Sequence, residues 1–248
     1  MPYHEQLVTS KHKWSDKTFS FKTTRPDNFD FENGQFVTIG IKQERKLIAR
    51  AYSIVSNNNA DHLEFLSIHV PEGPLTSKLV HIEPGTTVWI NDKATGSLTL
   101  QYVQPGRNLF MLATGTGLAP FMCLIRSPEV FDTFERVVLV HTVRTAHELA
   151  YKEQIEKLSS DRLIYIPTVT REPFAITGRC SDLFMSGELF QLADIPEADP
   201  TLDRVMLCGN SFMLNDMTGY LDNHGWTKTN HKGVGNYTVE KAFVLHNT

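Results

Sequence analysis

N-L-F-M-L-A-T-G-T-G-L-A-P-F-M-C-L-I-R, residues 108–126, decides the fold. Leu109, Phe110, Met111, Leu112 and Ala113 form an apolar run short enough for a buried strand. Thr114-Gly115-Thr116-Gly117 breaks that run. Pro120 suits a first helical turn, where its fixed φ is already helical and its missing N–H goes unused. Phe121, Leu124 and Ile125 then recur at helical spacing. The pattern is strand, glycine turn, helix start. A helix start offers free N–H groups and a positive dipole end, which suit a phosphate, and the glycines let a ligand approach the backbone. The third glycine of G-x-G-x-x-G is missing, with Pro120 in its place. An ordinary strand-to-helix turn of an α/β domain reads the same way.

Downstream of Pro105-Gly106, strand-like and helix-like runs alternate. Residues 136–142, 162–169, 204–208 and 237–245 read as strands, while 146–158, 211–223 and part of 181–191 read as helices. Such alternation implies parallel strands joined by right-handed crossovers. Upstream, residues 17–22, 35–40, 47–55, 63–70 and 86–90 are β-rich, with turn residues clustered between them. Only residues 75–81 look helical there. Short strands at this spacing suggest a small antiparallel barrel. The boundary falls near residues 101–107, which divides the chain into 1–101 and 102–248.

Composition excludes several classes. A net charge of −4 over 248 residues gives no electrostatic basis for binding nucleic acid or an anionic membrane. Cys123, Cys180 and Cys208 are too few for an iron–sulfur cluster and too dispersed for zinc. The ten histidines include no H-x-x-x-H pair, so no metal is expected. The opening residues lack signal-peptide character and no window approaches 18 apolar residues, so a cytoplasmic protein is expected. Nothing points to self-association, and a monomer is expected.

In open α/β sheets the ligand lies beyond the carboxyl ends of the strands. Those ends carry Thr114 to Gly117, Val143-Arg144, Thr170-Arg171 and Gly209-Asn210-Ser211, with Arg179 close behind. Three arginines there can converge on a phosphate, which points to NADP, or stand apart as solvated surface charges. In the first half, Tyr52 of Arg50-Ala51-Tyr52-Ser53 can stack on a flat ring, Ser53 can hydrogen-bond it and Arg50 can hold a diphosphate. Alternation puts Ser53 on the opposite face from Arg50 and Tyr52, so a bulge or strand end is needed. Thr76 or Ser77 is an N-cap candidate for the helix that follows. A plain barrel strand with a capped helix has the same signature.

R-A-Y-S at 50–53, G-P-L-T-S at 73–77, A-T-G-T-G-L-A-P at 113–120, M-L-C-G-N at 206–210 and V-E-K-A-F-V at 239–244 occur in that order. As an ordered set over essentially the whole chain, they resemble the bacterial ferredoxin (flavodoxin)–NADP reductases. The ending past Ala242 resembles the subclass whose C-terminus extends beyond the flavin.

The resemblance implies an N-terminal antiparallel six-stranded β-barrel with one helix that binds FAD. It implies a C-terminal parallel α/β nucleotide-binding domain for NADP, whose last residues return to the flavin. FAD would be held by Arg50, Ala51, Tyr52 and Ser53, by Leu66, Ser67, Ile68 and His69, by Pro74, Leu75 and Thr76, and by Thr116, Ala242 and Phe243. NADP would be held by Val143, Arg144, Thr170, Arg171, Arg179, Asn210, Ser211 and Phe212. Ser53, Cys208 and Glu240 would serve the reaction, with no residue acting as a nucleophile. Hydride would pass between NADPH and FAD, and single electrons between FAD and a ferredoxin or flavodoxin. A reductase component feeding an oxygenase, or another haem or iron–sulfur protein, shares this scaffold. Lys11, Lys13, Lys17 and Lys22 form a candidate basic face for an acidic carrier.

Overall fold

The computed structural model describes residues 2–44 and 46–242, and their strands form two sheets. The first contains β1 (Tyr3–Lys13), β2 (Thr18–Thr24), β3 (Phe36–Gln43), β4 (Lys46–Ser53), β5 (His62–Ile68) and β6 (Thr87–Asn91), ordered β4-β3-β6-β1-β2-β5. All its pairings are antiparallel. The sheet curls until its outer strands meet at an Ile54–Phe65 bridge, next to a Val55 N–H to Glu64 carbonyl bond of 2.8 Å. Phe19, Phe21, Val37, Ile39, Phe65, Val88 and Ile90 fill the interior. Period-two alternation puts Phe19 and Phe21 on that inner face together. Leu75 and Leu79, flanking and ending α1 (Thr76–Leu79), join the same core.

The second sheet contains β7 (Asn108–Thr114), β8 (Arg136–Val143), β9 (Leu163–Val169), β10 (Arg204–Gly209) and β11 (Tyr237–Lys241), ordered β11-β10-β7-β8-β9 and wholly parallel. Strand β7 is buried on both faces. Leu109, Met111 and Ala113 pack with α2 (Ala119–Ile125), α3 (Glu129–Thr133) and α4 (Lys152–Leu158). Phe110 and Leu112 pack with α5 (Cys180–Ser186), α6 (Glu188–Leu192) and α7 (Ser211–Asn223). A strand covered twice has to be apolar throughout, which is why 109–113 carries no alternation. The chain runs from β7 to β8 on one side, and β10 later adds on the other. The topological switch point therefore lies between β7 and β10.

Several sequence expectations need correction. β1 carried no recognisable period, since only Gln6 and Val8 of its residues are buried. The helix expected over 146–158 is a short 3₁₀ turn followed by α4, separated by Tyr151 at φ 60°. The run 181–191 is two helices divided by Gly187 at φ 83°. Helix α1 is shorter than expected, and neither Thr76 nor Ser77 caps it. Its N-cap is Leu75, and the Thr76 hydroxyl instead donates to the Val70 carbonyl at 3.0 Å.

At the amino end of the second sheet, the Asp203 carboxylate is fully buried. It accepts hydrogen bonds from Arg107 Nε (3.0 Å) and Nη2 (2.7 Å), from the backbone and side chain of Asn108 (3.1 Å each) and from the Asp199 N–H (2.9 Å). These bonds tie the start of β7 to the start of β10. Breaking a buried pair from one side leaves its partners desolvated, at a cost of about 3–5 kcal/mol. Asp203→Ala is expected to lower unfolding stability by about that amount in urea titration. A change below about 1 kcal/mol would show that the cluster is dispensable.

Candidate functional site

The carboxyl ends of β7 and β10 approach too closely for side chains. A Cβ at Gly117 would lie 2.3 Å from the Cys208 carbonyl oxygen, and one at Gly209 would lie 2.2 Å from Thr114 Oγ1. Gly117 therefore serves packing between the strand tips, a correction to its reading as room for a ligand. Gly115 does fit the original reading. It sits at φ 54° and a Cβ there would meet nothing within 4 Å, so this turn opens on free space. Residues Gly115–Leu118 form a 3₁₀ turn, which puts Thr116 at the head of the crevice and α2 directly behind it.

Two residues that sequence reasoning left unassigned hold this turn. The Thr114 hydroxyl accepts from Asn210 N–H (2.9 Å) and Nδ2 (3.1 Å). Asn210 in turn caps α7, its side-chain oxygen accepting from Met213 N–H at 3.0 Å. Below, His141 is completely buried and its Nε2 donates to the Gly115 carbonyl at 3.0 Å. Burial pushes its imidazole down to about 4, so the ring is neutral and acts as a strut. The only sequence signal for either was a polar residue at the end of an apolar strand.

The predicted nucleotide residues do gather along this edge. Arg144, Thr170, Arg171 and Arg179 are all exposed. Backbone bonds hold their segments together, Arg171 N–H to Arg144 carbonyl at 2.9 Å and Thr170 N–H to Val143 carbonyl at 3.1 Å, and Arg179 is the N-cap of α5. None of the three arginines makes an ion pair among the described residues. The nearby carboxylates of Glu148 and Glu172 accept from the backbone N–H groups of Arg144 and Ala146 instead. Val143 differs from the others. Its side chain is buried against Leu149 and Val169, so only its backbone faces the edge. Phe212 is exposed and Ser211 half-buried at the start of α7.

On the barrel, the outer edge of β4 from Lys46 to Ser53, and of β5 from Leu66 to Ile68, pairs with no strand among the described residues. The gap is spanned by Tyr52 Oη and Ser67 Oγ, 3.1 Å apart. Burial pushes the Tyr52 phenol up to about 12, so it stays uncharged, and its ring meets Phe65 edge-on. Arg50 is exposed, and its Nη1 donates to the Ala49 carbonyl at 2.7 Å. Leu66 and Ser67 are buried and Ile68 and His69 half-buried, and the free edge of β5 offers backbone N–H and carbonyl groups beside the Ser67 hydroxyl. Unpaired strand edges beside an aromatic ring form a slot suited to a flat, hydrogen-bonding ring system such as a flavin.

The two halves meet at Ser53 and Glu240. The Ser53 hydroxyl donates to Glu240 Oε1 at 3.2 Å. Glu240 stands opposite Cys208 in the β10–β11 register. Burial pushes the Glu240 carboxyl up to about 7, partly offset by the Ser53 bond. Cys208 is fully buried, and desolvation together with Glu240 drives its thiol well above the usual range, so it is no nucleophile. Ala242 is half-buried, its N–H bonded to the Gly209 carbonyl at 3.0 Å. Phe243 lies outside the described residues. The expected basic face is partly neutralised, because Lys11 pairs with Glu83 at 3.5 Å and Lys13 with Asp16 at 2.8 Å.

Comparison with known proteins agrees with this geometry. Residues 6–96 match the oxidoreductase FAD-binding domain model, and residues 111–218 the oxidoreductase NAD-binding domain model. Ferredoxin–NADP reductase A of Sorangium cellulosum is 46% identical, the match covering 98% of this chain and 91% of that one. Ferredoxin–NADP reductase of Azotobacter vinelandii is 47% identical over 96% of this chain and 97% of its own. The crystal structure of a ferredoxin NADP+ reductase from Neisseria gonorrhoeae with bound FAD and NADP superposes with a TM-score of 0.93. It covers 98% of this chain and all of that one, at 28% identity.

The raised Glu240 carboxyl has a stability consequence with a definite sign. Below its ordinary value of 4.5 it is protonated whether the chain is folded or unfolded. Between 4.5 and about 7 only the unfolded chain releases the proton, so the contribution of this group to stability falls as pH rises. Against Glu240→Gln, the wild type is expected to lose about 2 kcal/mol across that window, allowing for partial exposure. Chemical unfolding at pH 4.5 and 7.5 measures this, and parallel pH profiles would rule it out.

Proposed function

We propose the function of this chain from one premise: it belongs to the ferredoxin–NADP reductase family. It is an FAD-dependent oxidoreductase that transfers a hydride between NADPH and FAD, and single electrons between FAD and a ferredoxin or flavodoxin. Bound FAD supplies the redox chemistry, a two-electron exchange on one side and one-electron exchange on the other, and the protein supplies position and electrostatics.

Residues 1–101 are the FAD-binding unit and 102–248 the NADP-binding unit. The open slot between β4 and β5 supports placing the flavin against Tyr52, with Ala51, Leu66, Ser67, Ile68 and His69 presenting backbone groups to its edge. Arg50, Pro74, Leu75 and Thr76 hold the diphosphate. The exposed, unneutralised guanidiniums of Arg144, Arg171 and Arg179, with Thr170 and the Val143 backbone, grasp the 2′-phosphate. Arginine's planar fork suits that dianion better than a lysine would. Asn210, Ser211 and Phe212 flank the rest of NADP, with Thr116 where the two cofactors meet.

Ser53 orients toward the reacting ring nitrogen, and Glu240 behind it holds a proton near neutral pH. Cys208, buried behind the strand tip, helps set the nicotinamide position without thiol chemistry. Ala242 covers one flavin face with a methyl group, so nicotinamide has no aromatic lid to displace. The acceptor is a separate small acidic carrier, and Lys17 and Lys22, which make no ion pair among the described residues, help steer it. The chain acts in the cytoplasm, a reading supported by three free cysteines, and as a monomer. Among the described residues no helix is long and apolar enough to cross a membrane.

The observation that carries this reading is the Ser53–Glu240 bond, which joins the flavin slot to the nucleotide crevice. The purified chain is expected to be yellow, to bleach with NADPH and to bleach much less with NADH. A colourless chain that FAD cannot reconstitute would overturn the reading. Arg144→Ala and Arg171→Ala should each raise KM for NADPH about tenfold, as expected for loss of a charged hydrogen bond, and leave KM for NADH unchanged. Ala242→Tyr should slow flavin reduction by NADPH. An unchanged rate would mean that access to this face is not limiting.

A further inference from the structure

Hydride transfer demands reacting atoms about 3–3.5 Å apart, and a 1 Å misplacement can cost about a hundredfold in rate. In this chain the two cofactor sites lie on different sheets, so the angle between those sheets becomes a catalytic variable. One side chain links the elements that set it. Arg126 is the C-cap of α2, the helix that starts behind Thr116. Its Nη1 donates to Glu64 Oε2 at 2.8 Å and to the Val55 carbonyl at 3.2 Å. Its Nη2 donates to Gln154 Oε1 on α4 at 2.9 Å, and its own carbonyl accepts from Asn57 Nδ2 at 3.2 Å.

The barrel partners are well placed to transmit this. Val55 lies two residues beyond Ser53, and Glu64 two before Leu66, at the point where the barrel closes. Tyr151 completes the clamp. Its hydroxyl donates to Glu64 Oε1 at 2.9 Å, while the Arg126 guanidinium lies 5.4 Å from its ring centre. The Tyr151 backbone sits at φ 60°, uncommon for a bulky residue. Such a conformation persists only where surrounding contacts over-determine it. Trp14 of the barrel packs against the same ring at 4.5 Å. Both Glu64 oxygens are thereby used, and its side chain is only 7% exposed.

We propose that Arg126, clamped by Glu64 and Tyr151, is a positioning residue that sets the domain angle and hence the nicotinamide-to-flavin distance. Arg126 touches neither cofactor site directly. The proposal rests on the reading that NADPH reduces FAD across the cleft, and reduction of the wild-type holoenzyme by NADPH tests that reading separately.

Stopped-flow reduction of the FAD-bound Arg126→Gln, Arg126→Lys and Tyr151→Phe enzymes by NADPH is the test. In Arg126→Gln, FAD content and NADP+ dissociation constant should stay within about twofold of wild type. The limiting rate of flavin reduction should fall about tenfold or more, and the long-wavelength charge-transfer absorbance should weaken. Arg126→Lys, which keeps the charge beside Glu64, should recover most of the rate. An unchanged limiting rate in Arg126→Gln overturns the proposal, as does a parallel loss of NADP+ affinity and rate, which marks a merely structural role. If Arg126→Gln fails to retain FAD, Tyr151→Phe decides. It removes one hydrogen bond and keeps the ion pair, so a several-fold lower limiting rate with unchanged affinity supports the clamp. An unchanged rate in Tyr151→Phe then refutes it.

Discussion

The close contact of the β7 and β10 tips is the constraint on which the rest depends. Without a side chain at position 117, the Gly115–Leu118 turn lies directly on the Cys208 carbonyl. That contact places Thr116, Cys208 and the start of α7 around one crevice at the switch point of the sheet. Thr114 secures it from the β7 side through Asn210, and His141 from below through the Gly115 carbonyl. The crevice is walled by backbone and short polar side chains, and its His141 strut is made inside the low-dielectric edge of the core, where a hydrogen bond is strongest. Adding a Cβ to Gly117 would force apart two strands that are buried on both faces, with no soft side chain to yield.

Electrostatics divides the crevice into two regimes. Its outer end carries Arg144, Arg171 and Arg179, exposed and without carboxylate partners among the described residues, so a phosphate can meet full positive charge there. Its inner end, around Glu240, Cys208 and Tyr52, is desolvated. Every titratable group there is pushed toward its neutral form by burial. On the proposed placement, a phosphate at the arginines would strengthen binding without introducing a fixed charge beside the redox ring.

What the sequence revealed tracked how locally each feature is determined. β7 was legible because a doubly covered strand must be uniformly apolar, and α7 as a helical run over 211–223. The barrel strands with Phe19 and Phe21 were legible through period two. β1 was not, because only two of its side chains are buried. The break at Tyr151 was invisible too, since nothing in a tyrosine announces a left-handed backbone, which only its tertiary contacts fix. The same holds for the site. Arginines at strand tips were readable, but Thr114 and His141 act through partners 96 and 26 residues away. The role of Gly117 reversed, from ligand room to strand packing, because its neighbour in space is residue 208.

The placement of β11 explains why the two halves behave as one device. It is the last strand of the nucleotide sheet, paired with β10 along its length and with Lys228 by a single bridge at Tyr237. Its register puts Glu240 beside Cys208, yet the carboxylate is bonded to Ser53 of the barrel. A single strand therefore couples the ends of β10 and β4 with no intervening loop. A few residues on, Arg126 makes a second link, joining α2 to the barrel closure. Two links resist rotation between the halves in a way that one cannot, because a single contact leaves a pivot. The fold thus meets the sub-ångström demand of hydride transfer with polar side chains on rigid elements, while Val55, Leu66 and Leu98 of the barrel share a core with the nucleotide sheet and Cys123 of α2 packs into the barrel core.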